Sequence, residues 1–356
     1  MDVVFPQWQE KHPCHPFPSE RTEMKSARPL VKCIFCLEVK QSSKEHIFPE
    51  AIGGKLSVFS VCTDCNNWLG GKIDRHLTSL PSVQLARAQL NIAGKRGGIP
   101  HGFEILTGRS FILDENGERQ AAWVTYDKEK NTTLFKLEPT ITEHKNDEGQ
   151  TVVKFSGDPS DLPKLIQKLQ ATRRREGLRP LTDDEIEKIS KEAVACEVMS
   201  PLVERTIEID VFGVCLAFAK IAYELAFHWF GKEFSEDPYA KIFREAIRAE
   251  EADDLEQYIH LLDRKDVVKI PEMWRRDQRW HIAFATYMEG HTIIFVTVFD
   301  SIGAAIKISQ RNWLAPFRAM KKSFVAQNSQ TGEVYEANLA EEFSKMKRID
   351  TASKAR

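Results

Sequence analysis

No uninterrupted apolar run in this 356-residue sequence reaches the length of about 18 residues that a membrane-crossing helix needs. The longest candidate, Val211–Phe230, is broken by Lys220, Glu224 and His228 and reads as a buried amphipathic helix. The opening MDVVFPQWQEKHPCHPF lacks the basic start and apolar core of a secretory signal, so a cytoplasmic location is the expectation. Neither sign of charge is in excess: 50 Lys and Arg stand against 52 Asp and Glu, a net charge of −2. A broad non-specific nucleic-acid footprint is therefore disfavoured, and any phosphate-binding surface has to be a local arrangement. There is no internal repeat, no low-complexity tract and no phosphate-binding glycine loop. Cysteine is sparse, with seven residues in a chain of cytosolic character, which argues against a disulfide framework.

Four of those seven cysteines are not scattered. Cys33-x-x-Cys36 and Cys62-x-x-Cys65 form two pairs separated by 25 residues, the form of one tetrahedral Cys₄ zinc site. A two-residue gap lets both thiolates of a turn face one ion. A module of about 45 residues buries too little apolar surface to hold itself together, and the metal supplies the missing free energy. Such a site has no open coordination position, so this zinc is structural and any chemistry falls to its neighbours.

The length predicts more than one domain, and the texture suggests an α+β chain with a break near residue 100. Residues 1–30 are rich in proline and charge and read as an extended arm; the cysteine module spans 31–100. Within it, Leu80, Val83, Leu85 and Leu90 predict a helix over 77–93. Residues 101–356 form a larger mixed region: short β-branched and aromatic runs over about 103–156 predict a small antiparallel sheet, and about 160–262 is helical. Strands return over about 279–309, with Glu289-Gly290 as a hairpin turn. The aromatics there, Trp280, Phe284, Tyr287, Phe295 and Phe299, are read as core; His281 and His291, near a strand start and the turn, are read as surface residues.

Between the cysteine pairs lie Glu45-His46-Ile47-Phe48-Pro49 and Gly53-Gly54, and Asn66-Asn67 directly follow Cys65. The order CxxC, EHIxP, GG, CxxCN, a glycine and Asp74 resembles the zinc-containing subgroup of the HNH endonuclease family, over roughly residues 33–74. The resemblance implies a ββα-metal fold: a first strand ending near 44–47, a second over about 56–61, and a helix starting near Cys62. It implies His46 as general base, with Glu45 and Asn66 holding a catalytic Mg²⁺ or Mn²⁺. Asp74 and Asn67 are implied only in support, Asp74 holding the helix end or the base. Independently of the family, hydrolysis of a phosphodiester needs a base titrating near neutrality and a cation among oxygen ligands, and these residue types supply both. The resemblance gives no residue to orient His46; Ser57 and Ser60 are the candidates on the second strand.

DNA is the expected substrate, although the chemistry alone does not separate it from RNA. Lys95 and Arg96 are candidate phosphate contacts, while Arg173-Arg174-Arg175 suit a helix end whatever they bind. His76 reads as an exposed helix residue. One site cuts one strand at a time, so a homodimer is an expectation drawn from double-strand cleavage. The resemblance is compatible with restriction or anti-phage defence. Two other classes fit the sequence: a non-catalytic zinc-binding nucleic-acid module, and a regulatory protein whose residues 101–356 sense a protein or ligand effector.

Overall fold

The computed structural model describes residues 28–345, apart from 95–96, 103–106, 114–118, 128, 131, 146–147, 150, 193–201, 252–254, 275 and 316–321. Lys95 and Arg96 thus lie outside the described residues, as does the arm over 1–27. The N-terminal module is a three-stranded antiparallel sheet in the order β1 (Leu30–Lys32), β2 (Val39–His46), β3 (Ser57–Cys62). Helix α1 (Thr63–Trp68) follows directly, then a single wide turn over Leu69–Ile73 and α2 (Asp74–Thr78). The helix expected over 77–93 is shorter and separate: α3 spans Pro81–Gln89, because Leu80, held extended before a proline, ends α2 and starts α3.

Both glycines of the turn between β2 and β3 are required. Gly53 has φ +85°, and a Cβ there would run into the Ser329 carbonyl; a Cβ on Gly54 would meet the Phe48 carbonyl.

The strand-rich stretch forms two separate sheets. One joins β4 (Gly108–Leu113), β5 (Arg119–Asp127), β6 (Thr132–Leu137) and the later β9 (Leu202–Glu204) in the order β6-β5-β4-β9; the other is the hairpin of β7 (Thr140–Lys145) and β8 (Thr151–Ser156). Helices α4 (Leu162–Arg175), α5 (Asp183–Glu192), α6 (Val211–Phe230) and α7 (Pro238–Ala249) make up the helical middle. Strand β10 (Ile259–Leu261) and α8 (Arg264–Met273) lead into the last sheet. That sheet contains β11 (Trp280–Met288), β12 (His291–Val298), β13 (Ile302–Ser309), β14 (Phe324–Asn328) and β15 (Val334–Ala337), ordered β10-β13-β12-β11-β14-β15. Glu289 and Gly290, at φ +51° and +76°, form the expected two-residue turn between β11 and β12.

Period-two alternation divides the two faces of this sheet. Trp280, Ile282 and Phe284 of β11 and Phe324 and Ala326 of β14 pack with Trp274 in one cluster. Ala283, Ala285 and Val325 face the opposite way, into the main core with α6 and the module. His281 and Gln327 share that second parity. His281 is fully buried, against the surface position expected for it, whereas Tyr287 is exposed and so is not part of the core.

Helix α6 is the hub. It is long and apolar enough to cross a membrane by length and composition, yet it is not amphipathic as expected: most of its residues are buried on all sides, between the module, α7 and the six-stranded sheet. One continuous cluster runs from Phe35, Ile47, Phe48 and Leu77 of the module through Phe218, Ile221 and Tyr223 to Ile294 and Ile306 of the sheet.

Candidate metal centre and hydrolytic site

Cys33 directly follows β1 and Cys36 lies in a tight turn, where the Leu37 N–H donates to the Cys33 carbonyl (2.9 Å) with Leu37 at φ +62°. Cys62 ends β3, and Cys65 lies in the first turn of α1. Their four sulfurs all lie within 4.8 Å of one another, and Cys36 Sγ is 3.9 Å from Cys62 Sγ. A tetrahedron with zinc–sulfur arms of about 2.3 Å has edges of about 3.8 Å, whereas a disulfide is about 2.05 Å. The cluster therefore fits zinc and is not a pair of disulfides. Its protonation points the same way. A hydrogen bond with Cys65 pulls the Cys33 thiol down to about 4, and the same contact pushes Cys65 up. Crowding thus lets one sulfur ionise at its neighbour's expense, and a dication at the centre would let all four do so. The Cys62 N–H donates to Cys33 Sγ (3.4 Å), a backbone bond that fixes the sulfur's direction.

Just beyond Cys62, which pairs with Ser42, the β2–β3 ladder is irregular. Ser43 pairs with Val61 but Glu45 pairs with Val58, so two residues of β3, Phe59 and Ser60, stand opposite Lys44. Asn66, on the second turn of α1, caps this irregularity: its Nδ2 donates to the Lys44 carbonyl (2.8 Å) and to Ser43 Oγ (3.0 Å). Past the bulge Glu45 is 3% exposed and turned into the core, whereas His46 is half-buried. Burial lowers the His46 pKa below its ordinary value, which keeps the ring neutral near pH 7. Ser57 lies opposite His46 in the ladder. Among the described residues the His46 ring has no hydrogen-bond partner, and Ser60 Oγ is buried without one.

The Glu45 carboxylate meets a residue the sequence did not point to. Lys220 of α6, wholly buried, places Nζ 2.6 Å from Glu45 Oε1 and 3.3 Å from both Asp74 Oδ1 and Glu224 Oε2. The same ammonium donates to the His46 carbonyl (2.8 Å) and to that of Ile47 (3.4 Å). Burial would strip its proton, but Asp74, Glu224 and Glu45 together more than offset that and hold it charged. Burial pushes Asp74 up to about 6 and Glu224 well above the carboxylate range. Asp74 is thus placed at Lys220. His76, expected to be exposed, is partly covered and lies 3.1 Å from Asp210. Asn67 is exposed.

Other side chains of the C-terminal half grip the module's backbone. Tyr223 Oη donates to the Ile34 carbonyl (2.7 Å), and His281 Nε2 to that of Ile52 (2.8 Å). Gln327 Oε1 accepts from the Lys55 and Leu56 N–H groups (2.9 and 2.8 Å), while its Nε2 donates to the Gly53 carbonyl (3.0 Å). The one sequence signal for any of these was Lys220 and Glu224, charged residues at i and i+4 inside an apolar helix.

Of the two residues expected to hold a catalytic divalent cation, Glu45 has one carboxylate oxygen on Lys220 and Asn66 gives its Nδ2 to β2, which leaves one further side-chain oxygen on each. Both are hard oxygens of the kind Mg²⁺ or Mn²⁺ accepts, with water and phosphate filling the remaining positions. The set fits in chemistry, with a lysine charge already on the same carboxylate.

No curated protein and no solved structure matches the chain. A family model described as HNH endonuclease matches residues 33–80, the stretch that holds both C-x-x-C pairs, Glu45, His46, Asn66 and Asp74, and this part of the chain is an HNH module.

Proposed function

We propose that the protein is an endonuclease that hydrolyses phosphodiester bonds of DNA at His46, with the Cys₄ zinc as a structural rivet. The observation that carries this reading is the state of His46: half-buried, neutral near pH 7 and with a ring uncommitted to any described partner, in a segment whose family is one of nucleases. A neutral imidazole in that position takes a proton from water as the water attacks phosphorus. Asn66 holds the bulge from which Glu45 and His46 diverge, and so sets the distance between the base and the metal-holding carboxylate. Mg²⁺ or Mn²⁺, when bound at Glu45 and Asn66, supplies the positive charge that offsets the phosphorane and the leaving oxygen. Within this reading, restriction or anti-phage defence is a setting that suits a cytoplasmic DNA-cutting enzyme, and a homodimer would deliver two nicks.

A second reading has its own support. Glu45 is already paired with Lys220 and the Asn66 amide is turned into β2, which suits a zinc module that binds nucleic acid without cutting it. Nicking of supercoiled plasmid by the full zinc-loaded chain in Mn²⁺ separates the two. Hydrolysis predicts nicking that stops on chelation of Mn²⁺, falls by about 10²–10⁴-fold in His46→Ala and weakens in Asn66→Ala. Plasmid binding without nicking supports the binding module, and equal nicking by wild type and His46→Ala points to contamination or to another site.

A further inference from the structure

In a regular strand successive carbonyls point to opposite sides. At His46 and Ile47 they do not: one ammonium, that of Lys220, reaches both (2.8 and 3.4 Å). It also reaches the carboxylate of the preceding residue, Glu45 (2.6 Å). The three N–H groups of a lysine thus have their partners on three consecutive residues at the end of β2, where the chain leaves the ladder. The segment that follows is also held by the C-terminal half, with the carbonyls of Ile52 and Gly53 taken by His281 and Gln327.

Stability alone does not call for this lysine. A wholly buried ammonium among carboxylates is costly to desolvate, and apolar residues of similar volume are as stable or more so. Helix α6 already docks on the module through the main core and through Tyr223 at Ile34. What an apolar side chain cannot do is fix the direction of two backbone carbonyls and one carboxylate at once.

We propose that Lys220 is a positioning residue of the hydrolytic site, acting through the backbone of His46 and the carboxylate of Glu45, so that the family-matched segment works only with α6 in place. This rests on the reading of His46 as the base. Because Lys220 is wholly buried and its N–H groups are taken by protein oxygens, its loss acts on turnover and leaves DNA affinity alone.

The test compares full-length, zinc-loaded wild type with His46→Ala, Lys220→Met, Tyr223→Phe and the double variant Lys220→Met/Glu224→Met, measuring plasmid nicking in Mn²⁺ for kcat and KM. The double variant removes one of the three acidic groups around Nζ and stands in if Lys220→Met alone does not fold. The expected result is a fall in kcat on the order of 10²-fold in both lysine variants, with KM and zinc content unchanged. Tyr223→Phe, which removes a neighbouring tie of α6 without touching Lys220, keeps the wild-type kcat. Wild-type kcat in the lysine variants, with nicking lost in His46→Ala, overturns this proposal alone. So does a Tyr223→Phe defect as large as that of Lys220→Met, since α6 docking would then explain both. Equal nicking by wild type and His46→Ala overturns the hydrolytic reading and this proposal with it.

Discussion

The HNH module is held at two ends by two kinds of cationic centre. At one end four thiols stand within 4.8 Å of one another around the place for a dication. At the other, Glu45, Asp74 and Glu224 surround the ammonium of Lys220. A metal is a free solute, so a small module must bring its own ligands close in sequence. An ammonium is tethered to a helix, and its partners are recruited from β2, α2 and α6. The zinc end is therefore a local device, and the lysine end exists only when the C-terminal half is folded against the module.

The largest effect breaks the comparison at the zinc end. Cys62→Ser should forfeit most of the roughly 10 kcal/mol that a structural zinc contributes to a small domain. Zinc per chain, measured by atomic absorption, should fall to near zero, and limited proteolysis should open residues 33–80 while the six-stranded sheet stays protected. Protection of both regions in the zinc-free variant would mean that α6, and not the metal, holds the module.

At the lysine end the expected loss is smaller. Lys220→Met leaves buried carboxylates without their counter-charge, which costs about 3–5 kcal/mol in urea denaturation. Adding Glu224→Met should recover only part of it, because Glu45 and Asp74 stay in place without their counter-charge. Full recovery by the second substitution would show that Glu224, and not Glu45 or Asp74, carries the uncompensated charge.

These two ends also mark how far the sequence can be read. The C-x-x-C pairs, the Gly53-Gly54 turn, the ββα order and the hairpin at Glu289-Gly290 are local patterns, and local geometry obeys them. A pattern read one strand at a time missed β14 and β15, because FVAQN and VYEA are too short to carry a period and form by pairing with β11 and with each other. His281 was misplaced for a related reason. Its position near a strand start suggested the surface, but its parity with Ala283 and Ala285 puts it on the face that meets the module. Lys220 was legible as an oddity inside α6; that its partners would be Glu45 and the His46 carbonyl depends on a packing between distant segments that no spacing records.

His281 gives the comparison a pH axis. Burial lowers its pKa to about 4 from an ordinary 6.5, with the Ile52 carbonyl opposing only in part. The unfolded chain therefore binds the proton first as pH falls. The stabilisation is whole above pH 6.5 and is lost progressively toward pH 4, amounting to about 3 kcal/mol. His281→Gln, which keeps a donor for Ile52 but does not titrate, should flatten urea-denaturation stability across that window. An unchanged pH dependence would place the responsible group elsewhere.

The smallest effect isolates a contact that mimics a strand. Gln327 projects from β14 and uses its side-chain amide as a neighbouring strand would use its backbone, accepting from Lys55 and Leu56 and donating to Gly53. Gln327→Ala leaves those groups unpaired inside the protein, at a cost of about 2 kcal/mol. Gln327→Glu sharpens the point, since a carboxylate still accepts from both N–H groups but faces the Gly53 carbonyl with an oxygen instead of a donor. If the turn is gripped from both sides, Gln327→Glu should be destabilised in a urea titration nearly as much as Gln327→Ala. If only the N–H groups matter, it should sit close to wild type. The first outcome would extend the lysine end of the module along the turn from His46 to Leu56, with both of its ends fixed by side chains from the C-terminal half.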